Sequence, residues 1–241
     1  MNVNLKEHYG LYIGGKFVPA SDGAEFETTN PATGEHLAYC AEATWEDVDA
    51  AVNAAWKAFP AWKKVDPIQR AEILNKIADR IDENAELLAT VETLDNGKPI
   101  RETMAIDVPL SSDHFRYFAS AIRTEQGTAT VLDGGYLSMV LREPIGVVGQ
   151  IVPWNFPFCM AAWKLAPVLA SGDCTVIKSS SATPLSLLVF MELISDLVPA
   201  GVINVITGKG SVVGRLLTSA SWPSPAPLRW AAMWPWPQPR S

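Results

Sequence analysis

The sequence has few charged residues, few histidines and few cysteines, and its acidic residues outnumber its basic ones. Only 19% of the 241 residues are charged, three are histidines, and the formal net charge is −7. Nucleic acid and anionic membranes repel an acidic chain, so we expect neither as a partner. The three cysteines, Cys40, Cys159 and Cys174, are far apart and lack Cys-x-x-Cys spacing. This pattern favours reduced thiols in the cytoplasm over a disulfide framework or a zinc site, and we expect no metal.

Long apolar runs and targeting signals are missing too. The first residues, MNVNLKEHYG, have neither the cationic start nor the apolar core of a secretory signal. No apolar run is long enough to span a bilayer. Hydrophobic residues nevertheless make up 48% of the chain, which allows a substantial core. We therefore expect a globular protein with one large domain or two small ones.

The first half of the chain predicts a short hairpin followed by helices. YIGGKFVPA indicates a hairpin around Gly14-Gly15, and TTNPATGE indicates an irregular turn. Thr44, with Asp47 three residues later, is typical of a helix N-terminus. A second helix begins at Asp66-Pro67, and a third ends at Asn96-Gly97. A further helical stretch runs over 107–123.

The second half predicts a hairpin and then alternating strands and helices. TATVLDGGYLSMVLREP has two β-rich arms around Gly134-Gly135. Apolar strands follow at 147–152, 175–178 and 203–207, separated by helices at 158–170 and 184–197. This alternation predicts a doubly wound parallel sheet covered on both faces. Ligands of such sheets bind at the carboxyl ends of the strands.

The predicted strand ends carry the candidate functional residues. Asn155 follows the first strand and offers an amide donor for an oxyanion, or it only caps the next helix. Lys178 ends the second strand, either as a ligand for ribose or phosphate oxygens or as a solvated lysine. ITGKGSVVGR follows the third strand, and its glycines allow close backbone approach to a ligand.

These motifs together resemble the NAD(P)-dependent aldehyde dehydrogenase superfamily. In chain order they are YIGGKFV…NPATGE, ETLDNGKP, REPIGVVGQIVPWNFPF, WKLAPVLASGDCTVIKSSSATPLS and PAGVINVITGKGSVVG. The resemblance implies an α/β, aldehyde dehydrogenase-like fold. It consists of an incomplete, doubly wound, Rossmann-like sheet preceded by N-terminal helices and a β-hairpin oligomerisation element. It also implies oxidation of an aldehyde, which we expect to be small and aliphatic, with hydride transfer to a nicotinamide cofactor.

The resemblance also assigns roles to the strand-end residues. Asn155 would stabilise the thiohemiacetal oxyanion, and Lys178 would contact the adenine ribose. The nicotinamide side of the cofactor cleft would be lined by Ile151, Val152, Pro153 and Trp154, and the adenosine half would lie against Gly210 and Gly214. The Gly134-Gly135 hairpin would pair subunits into a homo-oligomer, a dimer or a tetramer.

The residues after Lys178 depart from the family pattern. The family usually has Lys-Pro-Ser-Glu here, whereas this chain has Ser179 for the proline and Ser181 for the glutamate. A carboxylate at that position favours NAD and repels the 2′-phosphate of NADP. We therefore expect NAD as the cofactor with NADP possible, and an NADP-linked semialdehyde dehydrogenase is an alternative.

The family's chemistry needs a cysteine nucleophile and a carboxylate base. The resemblance implies that both lie beyond this chain. Cys159 is the one cysteine predicted at a helix N-terminus, which can lower a thiol pKa, but we expect it to be structural. We therefore expect the chain to be inactive alone, and a non-catalytic truncated subunit or interaction protein is the alternative.

Four segments follow from these patterns. They are an N-terminal hairpin and helical part of the cofactor-binding domain (1–125), a bridging hairpin (126–144), a partial Rossmann-like core (145–219) and a non-native tail rich in Trp and Pro (220–241). The tail, ASWPSPAPLRWAAMWPWPQPRS, has no acid, cysteine or histidine. One permitted codon choice, read from the third base of the Ala220 codon, gives KLAFTGSTAVGRDVAMAATK. We expect this peptide to be the strand and pyrophosphate loop that continue the fold.

The coding DNA tests this reading of the tail. If the tail is translated out of frame, the shifted frame across the Trp222 codon encodes Phe-Thr-Gly-Ser. DNA sequencing is the measurement, and a shifted frame without that motif contradicts the hypothesis.

Overall fold

The computed structural model describes residues 3–218 and the backbone of residues 229–230. The predicted tail, 220–241, therefore lies outside the described residues except for that dipeptide. The strands are β1 His8–Tyr9, β2 Leu11–Ile13, β3 Lys16–Val18, β4 Glu25–Thr29, β5 His36–Ala41, β6 Thr128–Leu132, β7 Tyr136–Val140, β8 Val147–Ile151, β9 Cys174–Lys178, β10 Ile203–Ile206 and β11 Arg229–Trp230. The α-helices are α1 Trp45–Trp62, α2 Pro67–Glu83, α3 Ala85–Asn96, α4 Ile100–Glu102, α5 Val108–Ala121, α6 Pro157–Ser171, α7 Leu185–Ile194 and α8 Arg215–Thr218. Thr103–Asp107 and Gly210–Gly214 are π-helical, and Ile122–Thr124 is a 3₁₀ turn.

The central sheet has the strand order β11-β8-β9-β10-β2-β3. β8, β9 and β10 are parallel, which confirms the predicted Rossmann-like core, and β11, from the segment 220–241, pairs parallel with β8. β2 pairs with β10 antiparallel, and β3 pairs with β2 antiparallel, so the N-terminal hairpin extends the predicted parallel sheet and the whole sheet is mixed. Leu11 and Tyr12 of β2 are buried, and an isolated hairpin could not bury them. The N-terminal hairpin therefore joins the sheet that carries the core strands.

The three central parallel strands are covered on both faces. Every residue of β9 and β10 is buried, and so is every residue of β8 except Ile151. Side chains alternate between the two faces of a strand, so this pattern requires packing on both sides. α1 and α6 both pack against β9. The short apolar runs in the sequence correctly predicted these strands.

A second sheet, in the order β1-β5-β4, was not predicted. The expected irregular turn occupies only residues 30–35, where Gly34 N–H donates to the carbonyl of Asn30 at 2.7 Å. The flanking segments form β4 and β5, which pair antiparallel. β4 is mostly exposed, so it lacks the apolar run that identified the central strands.

The predicted helix ends are confirmed. Thr44 and Asp47 form a reciprocal capping box at the start of α1, and Asp66 accepts a hydrogen bond from Ile68 N–H at the start of α2. α3 ends at Asn96 because Gly97 adopts a left-handed conformation with φ +85°.

The predicted hairpin around Gly134-Gly135 is confirmed as β6 and β7. Every residue of both strands is exposed, and Val131 and Tyr136 keep 76% and 72% of their accessible surface. In a single chain this two-stranded sheet therefore has apolar side chains without cover.

Asn204 joins the N-terminal hairpin to the parallel core. This fully buried side chain accepts from Gly14 N–H at 2.9 Å and donates to the carbonyls of Gly201 and Thr175 at 2.8 and 3.2 Å. The bonds to the two carbonyls are buried, and the bond from Gly14 is partly buried.

Replacing Asn204 should destabilise the fold strongly. Asn204→Ala removes the side-chain partner of three backbone groups, and we expect the free energy of unfolding to fall by roughly 1–3 kcal/mol. Urea denaturation measures the loss. Asn53→Ala is the matched control, because exposed Asn53 bonds only Asp49 on its own helix. Equal losses in both variants would contradict the assignment.

Candidate functional site

The carboxyl ends of β8, β9 and β10 lie at one edge of the sheet. Ile151 pairs with Lys178, and Lys178 pairs with Ile206. Val152 N–H donates to the carbonyl of Lys178 at 3.0 Å, which continues this alignment past the end of β8. The fold therefore brings together the first two predicted strand-end positions and the start of the glycine-rich loop.

A loop of exposed residues follows β8. Ile151 is 39% exposed and Val152 is buried, whereas Pro153, Trp154, Asn155 and Phe156 are all exposed. Pro157 then begins α6, because its fixed φ suits the first helical position. We call residues 153–156 the exit loop.

The exit loop bears on one of the two interpretations of Asn155, namely that it caps the next helix. The N-cap of α6 is Phe156, and α6 has no side-chain cap. Among the described residues the Asn155 amide forms no hydrogen bond, so it does not serve as a helix cap. Its N–H groups are free to donate at the carboxyl end of the sheet, although its role as an oxyanion donor stays a prediction.

Lys178 is buried at the end of β9 and is not a solvated lysine. It is 2% exposed, its ammonium donates to the carbonyl of Ser179 at 2.5 Å, and burial lowers its pKa to about 8. The buried Ser179 hydroxyl has no hydrogen-bond partner among the described residues, and Ser181 is half-buried. The Lys178 ammonium and the Ser179 hydroxyl at this strand end can therefore form further hydrogen bonds.

The glycine-rich loop turns tightly after β10. Gly208 has φ +133°, and a Cβ there would lie 2.7 Å from Cγ2 of Val213. Gly210 and Gly214 bound the π-helical turn, where an added Cβ would meet no atom within 4 Å in the described part of the chain. The local fold thus requires glycine at 208, whereas the predicted roles of Gly210 and Gly214 against a dinucleotide stay predictions.

All three cysteines are buried, and burial raises the pKa of each thiol. The pKa of Cys174 rises to about 12. The pKa of Cys159 rises to about 11, first through burial and then through the negative charges of Asp107 and Glu92. These thiols are protonated at neutral pH, so Cys159 lacks the thiolate that a nucleophile needs.

A buried charged cluster behind the exit loop was missed by sequence reasoning. Glu92 is fully buried, and the charges of Asp107 and Lys98 act on its carboxyl group. Asp107 is 1% exposed and pairs with Lys98, with 2.5 Å between Oδ2 and Nζ. A carboxylate on the buried face of the predicted third helix was the available signal, because buried carboxylates are rare.

Across residues 3–218, no group of three or more His, Cys, Asp and Glu side chains could hold a metal ion. Over the same span, no helix has both the length and the apolar character needed to cross a membrane.

Glu92 should make the folded state less stable as the pH rises. Burial, followed by the charge of Asp107, raises its pKa to about 8, so the folded state holds this proton more tightly than the unfolded chain does. Stability is therefore lost as the pH rises from about 4.5 to about 8. Glu92→Gln should reduce that loss by an amount on the order of a few kcal/mol, measured by urea denaturation at pH 5 and 8.5.

Glu86→Gln is the control for this measurement, because Glu86 is exposed on the same helix. Burial raises the pKa of Asp95 to about 7, so Asp95 contributes to the pH dependence of stability in both variants. An unchanged pH dependence in Glu92→Gln would show that Glu92 is not the titrating group.

The comparisons with known proteins agree with this geometry. Residues 17–222 match the model of the aldehyde dehydrogenase family. Acetaldehyde dehydrogenase 2 of Cupriavidus necator is 51% identical over 89% of this chain and 42% of its own length. Aldehyde dehydrogenase B of Escherichia coli is 50% identical over 90% of this chain and 43% of its own length. The solved NAD+ complex of aldehyde dehydrogenase from Bacillus cereus is 40% identical, covering 90% of this chain and 46% of that one, with a TM-score of 0.86.

This chain thus spans less than half the length of the relatives that it matches. The family model still covers most of the chain, including all the strand-end positions described above. The confirmed Rossmann-like core, the exit loop and these similarities lead to one conclusion: the chain belongs to the aldehyde dehydrogenase family.

Proposed function

We propose that this chain is the N-terminal, cofactor-binding portion of an NAD-dependent aldehyde dehydrogenase that oxidises a small aliphatic aldehyde to the carboxylic acid. The observation that carries the proposal is the exit loop, which holds the unengaged amide of Asn155 at the carboxyl end of the sheet. Family membership supports the reaction class. Two relatives named as acetaldehyde dehydrogenases support a small substrate.

Asn155 would act as a neutral hydrogen-bond donor. Attack of a thiolate on the aldehyde carbon leaves negative charge on the former carbonyl oxygen, and an amide N–H aimed at that oxygen stabilises it. The three buried cysteines are protonated at neutral pH, so we expect the nucleophile, and with it the base, to come from residues outside this chain. The chain alone would then be inactive.

The end of β9 fits the sugar hydroxyls of NAD. The Lys178 ammonium has one hydrogen-bond acceptor among the described residues, and the Ser179 hydroxyl has no partner there. Lys178 and Ser181 would therefore bind ribose hydroxyls, and the open space at Gly210 and Gly214 would admit the adenosine half. When bound, NAD accepts the hydride that the covalent intermediate releases.

Ser181 favours a second candidate, an NADP-linked semialdehyde dehydrogenase. A serine, unlike a carboxylate, does not repel the 2′-phosphate of NADP. The two candidates are separated by measuring how tightly NAD and NADP bind to a version of the protein in which the reading frame of the tail has been restored. We call this version the restored enzyme.

We further propose that the β6–β7 hairpin pairs subunits into a homo-oligomer, a dimer or a tetramer. Its uncovered apolar side chains support this, because such surface is normally buried in an interface. The same hairpin supports the alternative of a non-catalytic truncated subunit that joins a full-length partner. Three free, buried thiols suit the reducing cytoplasm that we propose as the compartment.

Activity measurements test the proposal. The 241-residue chain should give no aldehyde-dependent rise in absorbance at 340 nm, whereas a version with the reading frame restored should oxidise acetaldehyde. In the restored enzyme, Asn155→Ala should lower kcat by roughly 100-fold, because one oxyanion donor is lost. Asn53→Ala should leave kcat unchanged. If Asn155→Ala keeps full kcat, Asn155 is not an oxyanion donor.

A further inference from the structure

The exit loop is held in place by residues on either side of Gly97. Asn96, the last residue of α3, donates from Nδ2 to the carbonyl oxygen of Trp154 at 2.6 Å. That carbonyl and the N–H of Asn155 belong to one rigid peptide plane. The hydrogen bond therefore fixes the orientation of the backbone that leads into Asn155.

Lys98 holds the other side of Asn155. Its ammonium lies 3.3 Å from the ring centroid of Phe156 and 2.5 Å from Oδ2 of Asp107. The Lys98 side chain is 15% exposed and that of Asp107 is 1% exposed. A cation over an aromatic face is held more strongly where water is excluded, so Lys98 anchors Phe156 to the buried carboxylate.

Tight local contacts fix the backbone on which Asn96, Lys98 and Asp107 lie. Gly97 has φ +85°, and a Cβ there would lie 2.9 Å from Cγ of Pro31, so the turn between Asn96 and Lys98 requires glycine. Asp107 ends the π-helical turn Thr103–Asp107. The Thr103 hydroxyl donates to the carbonyl of Ala89 at 3.1 Å, which ties this turn to α3.

We propose that Asn96 and Lys98 are positioning residues that fix the exit loop so that Asn155 presents its amide at the sheet edge. The inference rests on the proposed function of Asn155. Neither residue is assigned a contact with the substrate. Asn96 orients the peptide before Asn155, and Lys98 holds the aromatic side chain after it.

Limited proteolysis of the 241-residue chain tests the proposal without relying on activity. Chymotrypsin cleaves after aromatic residues, and mass spectrometry resolves the rate of cleavage after Trp154 from the rate after Tyr136 in the exposed hairpin. Asn96→Ala should raise the rate after Trp154 by roughly twofold to tenfold, because one hydrogen bond is lost, and leave the rate after Tyr136 unchanged.

The Lys98 contact is tested by the double variant Lys98→Ala/Asp107→Asn, because it removes the pair without leaving an unpaired buried charge. We expect the same selective increase after Trp154. Lys98→Arg keeps the positive charge beside Asp107, so it should raise the rate after Trp154 less than the double variant does. Asn53→Ala is the matched control for Asn96→Ala.

The cleavage rates distinguish a local effect on the exit loop from a general destabilisation of the fold. Unchanged cleavage after Trp154 in Asn96→Ala and in the double variant, with intact circular dichroism, would overturn the proposal. An equal increase after Trp154 and after the fully buried Phe115 would also overturn it, because cleavage after Phe115 requires a general loss of structure. A selective increase supports the proposal even if Asn155→Ala fails to lower kcat, so the two failures remain distinguishable.

Discussion

The register of the three central parallel strands is the constraint on which the site depends. Ile151, Lys178 and Ile206 are aligned, so three segments of chain leave the sheet at one level. A slip of one residue would turn every side chain to the opposite face. Asn204 opposes such a slip, because its bond to the carbonyl of Thr175 on the neighbouring strand depends on this alignment.

Local signals in the sequence predicted much of this fold. The capping residues Thr44 and Asp66 and the helix end at Gly97 act within a few residues of themselves, so the sequence alone reveals them. The central strands were also predictable, because burial on both faces demands a continuous apolar run. The position of Asn155 follows directly, since it comes after the end of such a strand.

What the sequence left open depends on contacts between distant segments. Nothing near β4 signals its pairing, because that strand is mostly exposed and has no apolar run. Lys178 was predictable as a strand-end residue, but its burial was not, since neighbouring segments create it. The same holds for Asn96 and Lys98: the motif ETLDNGKP identified a helix end, whereas their partners Trp154 and Phe156 come from a loop far along the chain.

The exit loop presents a neutral side chain, whereas the residues behind it are ionisable. The Asn155 amide, which we propose as the oxyanion donor, has no ionisable group, so its capacity to donate a hydrogen bond does not change with pH. The ionisable groups Glu92, Lys98 and Asp107 lie behind the loop, within the buried cluster. Ionisation of Glu92 therefore acts on the folding free energy and not on the donor itself. The loop can thus be held by charged residues while the group that it presents stays neutral.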